Sequence, residues 1–278
     1  MSDKVKVGDV EIISVLDMVP PPREPDLFFP DVPLVSWELH ENALEDGMLQ
    51  LYFGCFFVRS QGKIVLVDTG MGPGPHPDRG NRTGDLLNQL KISGVNADDV
   101  DIVVHTHLHG DHVGWNLNLS DGKPRLNFPN ARYLVPKLDW EHFTQSGILE
   151  SAPQVQDYVI PLQELGVMEL VEGEHRINED ITTLPSPGHT PGHQVILINS
   201  LGEKAMIVGD LLHSKVQVQE PGWCAGVDVD KALSHYSRES VLLKAESEGY
   251  IVAAGHFHPT DHIGKVIRLR GRRYWQVI

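Results

Sequence analysis

The most constraining feature of this 278-residue chain is the run His105-Thr106-His107-Leu108-His109-Gly110-Asp111-His112. It follows directly on the apolar stretch from Asp101 to Val104, which reads as a short buried strand. Imidazole nitrogens and carboxylate oxygens at this spacing suit zinc or another divalent first-row metal. A lone histidine is ordinarily a packed or solvated residue. Ligand-type side chains at 107, 109, 111 and 112 are a different case. His107 and His109 can converge on one ion where the strand gives way to a loop. Gly110 lets the backbone turn tightly, and Asp111 and His112 can then reach a second ion.

The remaining donors come later, each after a predicted strand. Pro187-Gly188-His189-Thr190-Pro191-Gly192-His193 follows the run from Ile181 to Leu184. Val208-Gly209-Asp210 ends the next apolar run, and Gly255-His256-Phe257-His258 ends the last buried one. Strand ends gathered at one sheet edge are a natural place for a site. The expected sets are His107, His109 and His189 for one metal and Asp111, His112 and His256 for the other. Asp210 can bridge them, because each of its two oxygens can serve one cation.

The rest of the chain supports one α/β domain over residues 1–278. Hydrophobic residues make up 41% and charged residues 22%, enough for a sizeable core. Strands are expected at Val10–Leu16, Leu49–Arg59, Lys63–Val67, Ala131–Val135, Ile181–Leu184, Val195–Ile198, Ala205–Val208, Tyr250–Ala253 and Val266–Arg270. Ser60-Gln61-Gly62 reads as a hairpin turn. Helices are expected at Thr83–Ile92 with Thr83 as cap, from near Pro136, and over Val229–Ser247. A proline-rich excursion from about 19 to 48 excludes a regular helix or central strand and reads as a lid, a dimer arm or a surface wrap.

Charge and cysteine usage exclude several classes. Lys plus Arg is 23 and Asp plus Glu is 38, a net charge of -15, which argues against nucleic acid or an anionic membrane as partner. No apolar run approaches the roughly 20 residues of a membrane helix. The opening MSDKVKVGDVEI lacks an apolar signal core, so a cytoplasmic location is expected. Two cysteines make no disulfide framework. Cys55 reads as buried and structural, and Cys224 as an ordinary loop residue.

The string Thr-His-x-His-x-Asp-His over Thr106–His112, with Asp68 before it and His189, Asp210 and His256 after it, resembles the metallo-β-lactamase superfamily. All five recurrent motifs occur in family order. The resemblance implies a four-layer αββα sandwich with two mixed sheets inside and a two-metal centre at one edge. It assigns His107, His109 and His189 to the first metal, Asp111, His112 and His256 to the second, and Asp210 to the bridge. Asp68 matches the aspartate that orients a ligand histidine by hydrogen bonding. The chemistry implied is hydrolysis, a metal-bridged hydroxide attacking a lactone or ester carbonyl, with Asp111 moving the proton.

Within the superfamily the chain is nearest to N-acyl homoserine lactonases and methyl parathion hydrolase-like enzymes, so phosphotriesters join lactones and esters as candidate small-molecule substrates. Such lactonases carry a tyrosine three residues after the bridging aspartate. Here that position is His213, a candidate donor to a substrate oxygen. Trp115, Trp223, Phe257, Phe28 and Phe29, with Trp37, are candidates for an apolar pocket. His76, His258 and His262 are left at its edge or on the surface. Zinc is the expected ion, with manganese, iron or cobalt compatible with the donors. A homodimer through the proline-rich arm is expected. Two other readings stand beside this one: a mononuclear iron oxygenase of persulfide-dioxygenase type, and a non-catalytic metal-binding protein.

Overall fold

Alternating apolar residues build two sheets that share one interior. A computed structural model of the chain describes residues 4–120 and 122–278, so the first three residues of the opening stretch lie outside the described part. Strands β1 (Lys4–Val7), β2 (Val10–Met18), β3 (Phe53–Ser60), β4 (Lys63–Val67) and β5 (Ile102–Val104) come first. A small separate pair follows, β6 (Leu117–Asn118) with β7 (Arg125–Leu126), and then β8 (Arg132–Pro136) and β9 (Met168–Val171). The first sheet has the order β1-β2-β3-β4-β5-β8-β9. The second runs in simple sequence through β10 (Ile181–Pro185), β11 (Gln194–Ser200), β12 (Glu203–Ile207), β13 (Ile251–Ala253), β14 (Ile263–Leu269) and β15 (Arg272–Val277).

The period of two decides which layer each side chain enters. In β2, Val10 and Ile12 face the shared interior, whereas Ile13 and Val15 face outward. In β4, Val65 and Val67 face in and Leu66 faces out. In β11, Ile196 and Ile198 face in and Val195 and Leu197 face out. Leu86 and Leu90 of the helix Leu86–Ile92 cover the outer face of the first sheet. Val241, Leu242 and Ala245 of the helix Lys231–Glu248 cover that of the second. These are the four layers of the expected αββα sandwich.

Register places the site. β4, β5 and β8 pair in parallel with Val67 opposite Val104 and Val104 opposite Leu134. β12 and β13 are parallel with Ile207 opposite Ala253. The strands therefore end together at one edge, where the chain runs on into Asp68, His105–His112, Asp210 and His256. The β10–β11 turn delivers His189 to the same edge. There the two sheets also bond directly: the Gly54 N–H donates to the Gly255 carbonyl at 3.1 Å and the Tyr52 N–H to that of His256 at 3.3 Å. A side chain on Gly255 would meet the Gly54 carbonyl oxygen at 2.3 Å, so only glycine permits this approach.

Several expectations change. The helix expected from Thr83 begins at Leu86, and its first N–H groups are held by a remote side chain: Asp17 accepts from Asp85 N at 2.9 Å and Leu86 N at 3.0 Å. The strand expected from Leu49 begins at Phe53, because Leu49 pairs instead with Arg23 through two backbone bonds. Edge strands β1 and β15 carry too many polar residues to stand out as apolar runs, and β9 is only four residues long. Cys224 is buried, its Sγ against the Lys231 carbonyl.

The proline-rich excursion packs down as a wrap. It forms one helical turn, Pro25–Phe28, and a kinked 3-10 segment, Leu34–Ala43. Phe29 and Trp37 join Leu49, Leu51, Val216 and Ala225 in a local core, and the Gly226 N–H donates to the Phe28 carbonyl at 2.8 Å.

Phe57 is wholly buried in the outer core of the first sheet. Phe57→Ala is expected to lower unfolding stability by about 3–5 kcal/mol. Tyr236, 71% exposed on the long helix, serves as control: Tyr236→Ala is expected to change stability by no more than about 0.5 kcal/mol. Urea denaturation curves of the two variants check this.

Candidate metal centre

Six side chains from three loops meet around one carboxylate, which stands on a fourth. Asp210 is almost fully buried in the short turn after β12. Its Oδ2 lies 3.1 Å from His189 Nε2 and 3.6 Å from His107 Nε2. Its Oδ1 lies 2.9 Å from both His112 Nε2 and His256 Nε2. Each oxygen thus faces its own set of imidazoles. The first set closes through His109, whose Nδ1 is 3.1 Å from His107 Nε2 and 2.9 Å from His189 Nε2. The second closes through Asp111, whose oxygens lie 3.8 Å from His112 Nε2 and 3.9 Å from His256 Nε2.

Hydrogen bonds account for only part of this packing. Ligand atoms of His107, His109, His189 and Asp210 all lie within 4.8 Å of one another, as do those of Asp111, His112 and His256. Metal–nitrogen bonds of about 2.0–2.1 Å put tetrahedral neighbours roughly 3.3 Å apart, close to the spacing seen. His112 Nε2 is buried with no hydrogen-bond partner, although a carboxylate oxygen is 2.9 Å away. A nitrogen aimed at a shared point rather than along a hydrogen bond fits a cation ligand. The donors, nitrogen and oxygen without sulfur, suit a divalent first-row metal.

A layer of hydrogen bonds fixes these rings. Asp68 accepts from His112 Nδ1 at 2.8 Å, and from Thr106 N and Thr106 Oγ1 at 2.7 Å each. It stands at φ 62°, a left-handed conformation uncommon outside glycine, and these bonds hold it there. His189 Nδ1 lies 2.8 Å from Asp228, which is itself held by Ser234 and Arg238. His256 Nδ1 donates to the Tyr52 carbonyl at 2.8 Å. His193 Nε2 accepts the Asp210 N–H at 3.1 Å. Asp139 joins the two ligand loops, accepting from Leu108 N at 3.0 Å, Thr190 Oγ1 at 2.9 Å and Gly192 N at 2.6 Å. Gly188 allows the His189 loop to lie against the long helix, since a side chain there would strike Ser234 N at 2.1 Å.

Electrostatics follow from burial and neighbours. Burial, then the neighbouring imidazoles, holds His109 and His193 down to about 3, which leaves both neutral. Burial alone would lower His189, but Asp210 and Asp228 outweigh it and lift it to about 9. Burial would raise Asp68, yet His112 and His105 bring it to about 2. His105 turns away from the centre towards Asn116, its Nε2 3.1 Å from the side-chain amide.

His213 sits against the same carboxylate, its Nε2 3.1 Å from Asp210 Oδ2 and its ring stacked on His256 at 5.2 Å. With Phe28, Asp111 and His256 it lines a cleft of about 560 Å³, a size suited to a small organic molecule. The other aromatic candidates do not line it. Trp115 donates its indole N–H to Asp17 at 2.8 Å. Phe257 packs against Trp275 at 5.0 Å behind the second sheet, because successive residues leaving a strand point to opposite sides. Phe29, Trp37 and Trp223 pack on one another in the wrap. Leu51, Phe53, Met71 and Val227 supply the apolar wall instead. His76 lines the cleft and His258 is exposed, but His262 is buried beside Ser14 and Phe56. Asp228 and Asp139 carry no motif that marks them in sequence, whereas His193 was visible in the second histidine string.

Comparison with known proteins agrees with this geometry. The family model of the metallo-β-lactamase superfamily matches residues 55–256. The N-acyl homoserine lactonase AiiA of Bacillus thuringiensis subsp. kurstaki is 25% identical over 232 residues, which span 77% of this chain and 85% of that one. The lactonase AttM of Azorhizobium caulinodans is 34% identical over 114 residues, 40% of each chain. Among solved structures, AidC, described as a dizinc quorum-quenching lactonase, superposes with a TM-score of 0.83 at 25% identity over 99% of this chain and 96% of that one. The hydrolase AbOPH shares the fold with a TM-score of 0.85 at 24% identity, over 100% and 98%. The family match covers most of the chain, and its buried His/Asp clusters could hold metal: the chain belongs to the metallo-β-lactamase superfamily and is a metallo-hydrolase.

Proposed function

We propose that the protein is a dinuclear metal-dependent hydrolase of lactones and related esters, with N-acyl homoserine lactones among the candidate substrates. The observation that carries this reading is Asp210, whose two oxygens face two separate imidazole sets. His107, His109 and His189 with Asp210 Oδ2 would hold one ion. Asp111, His112 and His256 with Asp210 Oδ1 would hold the other. Zinc suits this donor set, and the similar protein AidC is described as dizinc. When bound, such a pair supplies Lewis acidity for the carbonyl and a nucleophilic water near neutral pH.

The protein's own groups do the rest. Asp111, on the cleft floor and partly exposed, accepts the proton of the attacking water and returns it to the leaving alkoxide. His213 lines the cleft beside Asp111 and His256 and is the candidate donor to the substrate oxygen. Phe28, Leu51, Phe53 and Val227 exclude water and take an acyl chain. Phosphotriester cleavage at the same centre is a side activity in this reading. The similarity to lactonases favours hydrolysis over an iron oxygenase. No helix among the described residues is long and apolar enough to cross a membrane. Leu27, Leu34 and Leu39 are 75%, 58% and 82% exposed on the wrap and support a dimer through that surface.

Protein purified without added metal is expected to hold about two ions per chain by mass spectrometry and to turn over an acyl homoserine lactone, a δ-lactone or an aryl ester faster than an aryl phosphotriester. His109→Ala loses both metal and turnover. One iron per chain with oxygen uptake and no hydrolysis would replace this reading with an oxygenase. In chelator competition, Asp228→Asn weakens one ion and Asp68→Asn the other by about 10–100-fold, with melting curves confirming that both variants fold. Sedimentation velocity finds a dimer that Leu34→Glu with Leu39→Glu converts to monomer; an unchanged species would reject the wrap as interface.

A further inference from the structure

Two arginines share the cleft with the metal-ligand candidates. Arg23 comes from the wrap and Arg79 from the loop after β4, and both line the cleft that holds Asp111, His213 and His256. Their backbones are fixed. Arg23 is paired through its N–H and carbonyl with Leu49, and Arg79 N donates to the His76 carbonyl at 3.0 Å. Gly80 lies against Pro21, which ties the two segments together. Burial, then the nearby Arg79 guanidinium, disfavours the charge of the half-buried Arg23. Among the described residues, the Arg23 guanidinium makes no hydrogen bond or ion pair. Among the described residues the Arg79 side chain pairs with its neighbour Asp78, at 3.0 Å, and its Nε is buried with no partner there.

This is a costly arrangement. A half-buried guanidinium beside a second one gains little from Asp78 and Asp111, which act on it only at longer range. A chain of net charge -15 has many carboxylates to offer, yet none is placed on Arg23. Planar forks of this kind match carboxylate and phosphate oxygens.

We propose that Arg23 and Arg79 form an anion-binding subsite in the cleft wall, so that the preferred substrate is a lactone or ester bearing a carboxylate or phosphate away from its reacting carbonyl. This deepens the hydrolase reading and rests on it for the substrate class. Asp78, Asp111, Asp157 and Asp210 line the same cleft, so the subsite is confined to the wall that carries the two arginines.

The test uses the holoenzyme and acyl lactones of equal chain length ending in methyl, carboxylate or phosphate. The carboxylate or phosphate form is expected to exceed the methyl form in kcat/KM by about tenfold or more, expressed mainly in KM. Arg23→Gln removes that preference and leaves the methyl lactone within about twofold, and Asp78→Asn, which frees Arg79, increases it. The ratio of carboxylate to phosphate turnover tells which anion the site fits. Calorimetric binding of the matching lactams, which lack the labile ester, reads the subsite without chemistry. Selective binding of the anionic lactam without lactone turnover would retain the subsite and reject the hydrolase reading. Turnover with no anion preference, or an equal loss on methyl and anionic lactones in Arg23→Gln, would overturn the subsite.

Discussion

The buried carboxylate of Asp210 is the group on which the rest of the arrangement depends. Burying an isolated carboxylate is expensive, and this one is surrounded by imidazoles on both oxygens. Those imidazoles come from different halves of the molecule. His107 and His112 leave the end of the first sheet, whereas His189 and His256 leave the second. The centre therefore joins the two sheets at the one edge where their backbones also bond, through Gly54 and Gly255. Interior packing of Val67, Val104, Ile207 and Ala253 sets the distance between the halves, and the donor geometry follows from it.

Rigidity at the centre comes from carboxylates one step removed. Asp68 fixes His112, Asp228 fixes His189, and Asp139 fixes the backbone of both histidine loops. Asp17 does the same for the cleft's rim, taking Met71 N, Asp85 N, Leu86 N and the Trp115 indole. Each replaces water with several aligned donors, which is how a buried acid is tolerated. A ring held in this way loses little entropy on binding a cation, so the site is formed in advance of its ligand.

Much of this was legible in the residues. The histidine run, the later His189, Asp210 and His256, and the strands that carry them all follow from local pattern, because each donor sits just beyond an apolar run. Asp68 was legible for the same reason. The pocket was not. Trp115 and Phe257 stand close to ligands in sequence, but a strand end alternates direction, and both point into cores. Phe28 and Phe29 are neighbours, yet one reaches the cleft and the other the wrap's interior. Thr83 was a plausible cap until Asp17, remote in sequence, took that role.

Sequence alone determined the donor types, their order and a single α/β domain, since these depend on residue identity and on patterns that read locally, and the αββα layering was implied by the family resemblance those donors carry. Only the tertiary structure decided which oxygen of Asp210 faces which imidazoles, that Asp228 and Asp139 support the histidine loops, and that Arg23 and Arg79 line the same cleft. Those are contacts between segments tens of residues or more apart. Their geometry is set by sheet register and by the packing of the wrap, which no local pattern encodes.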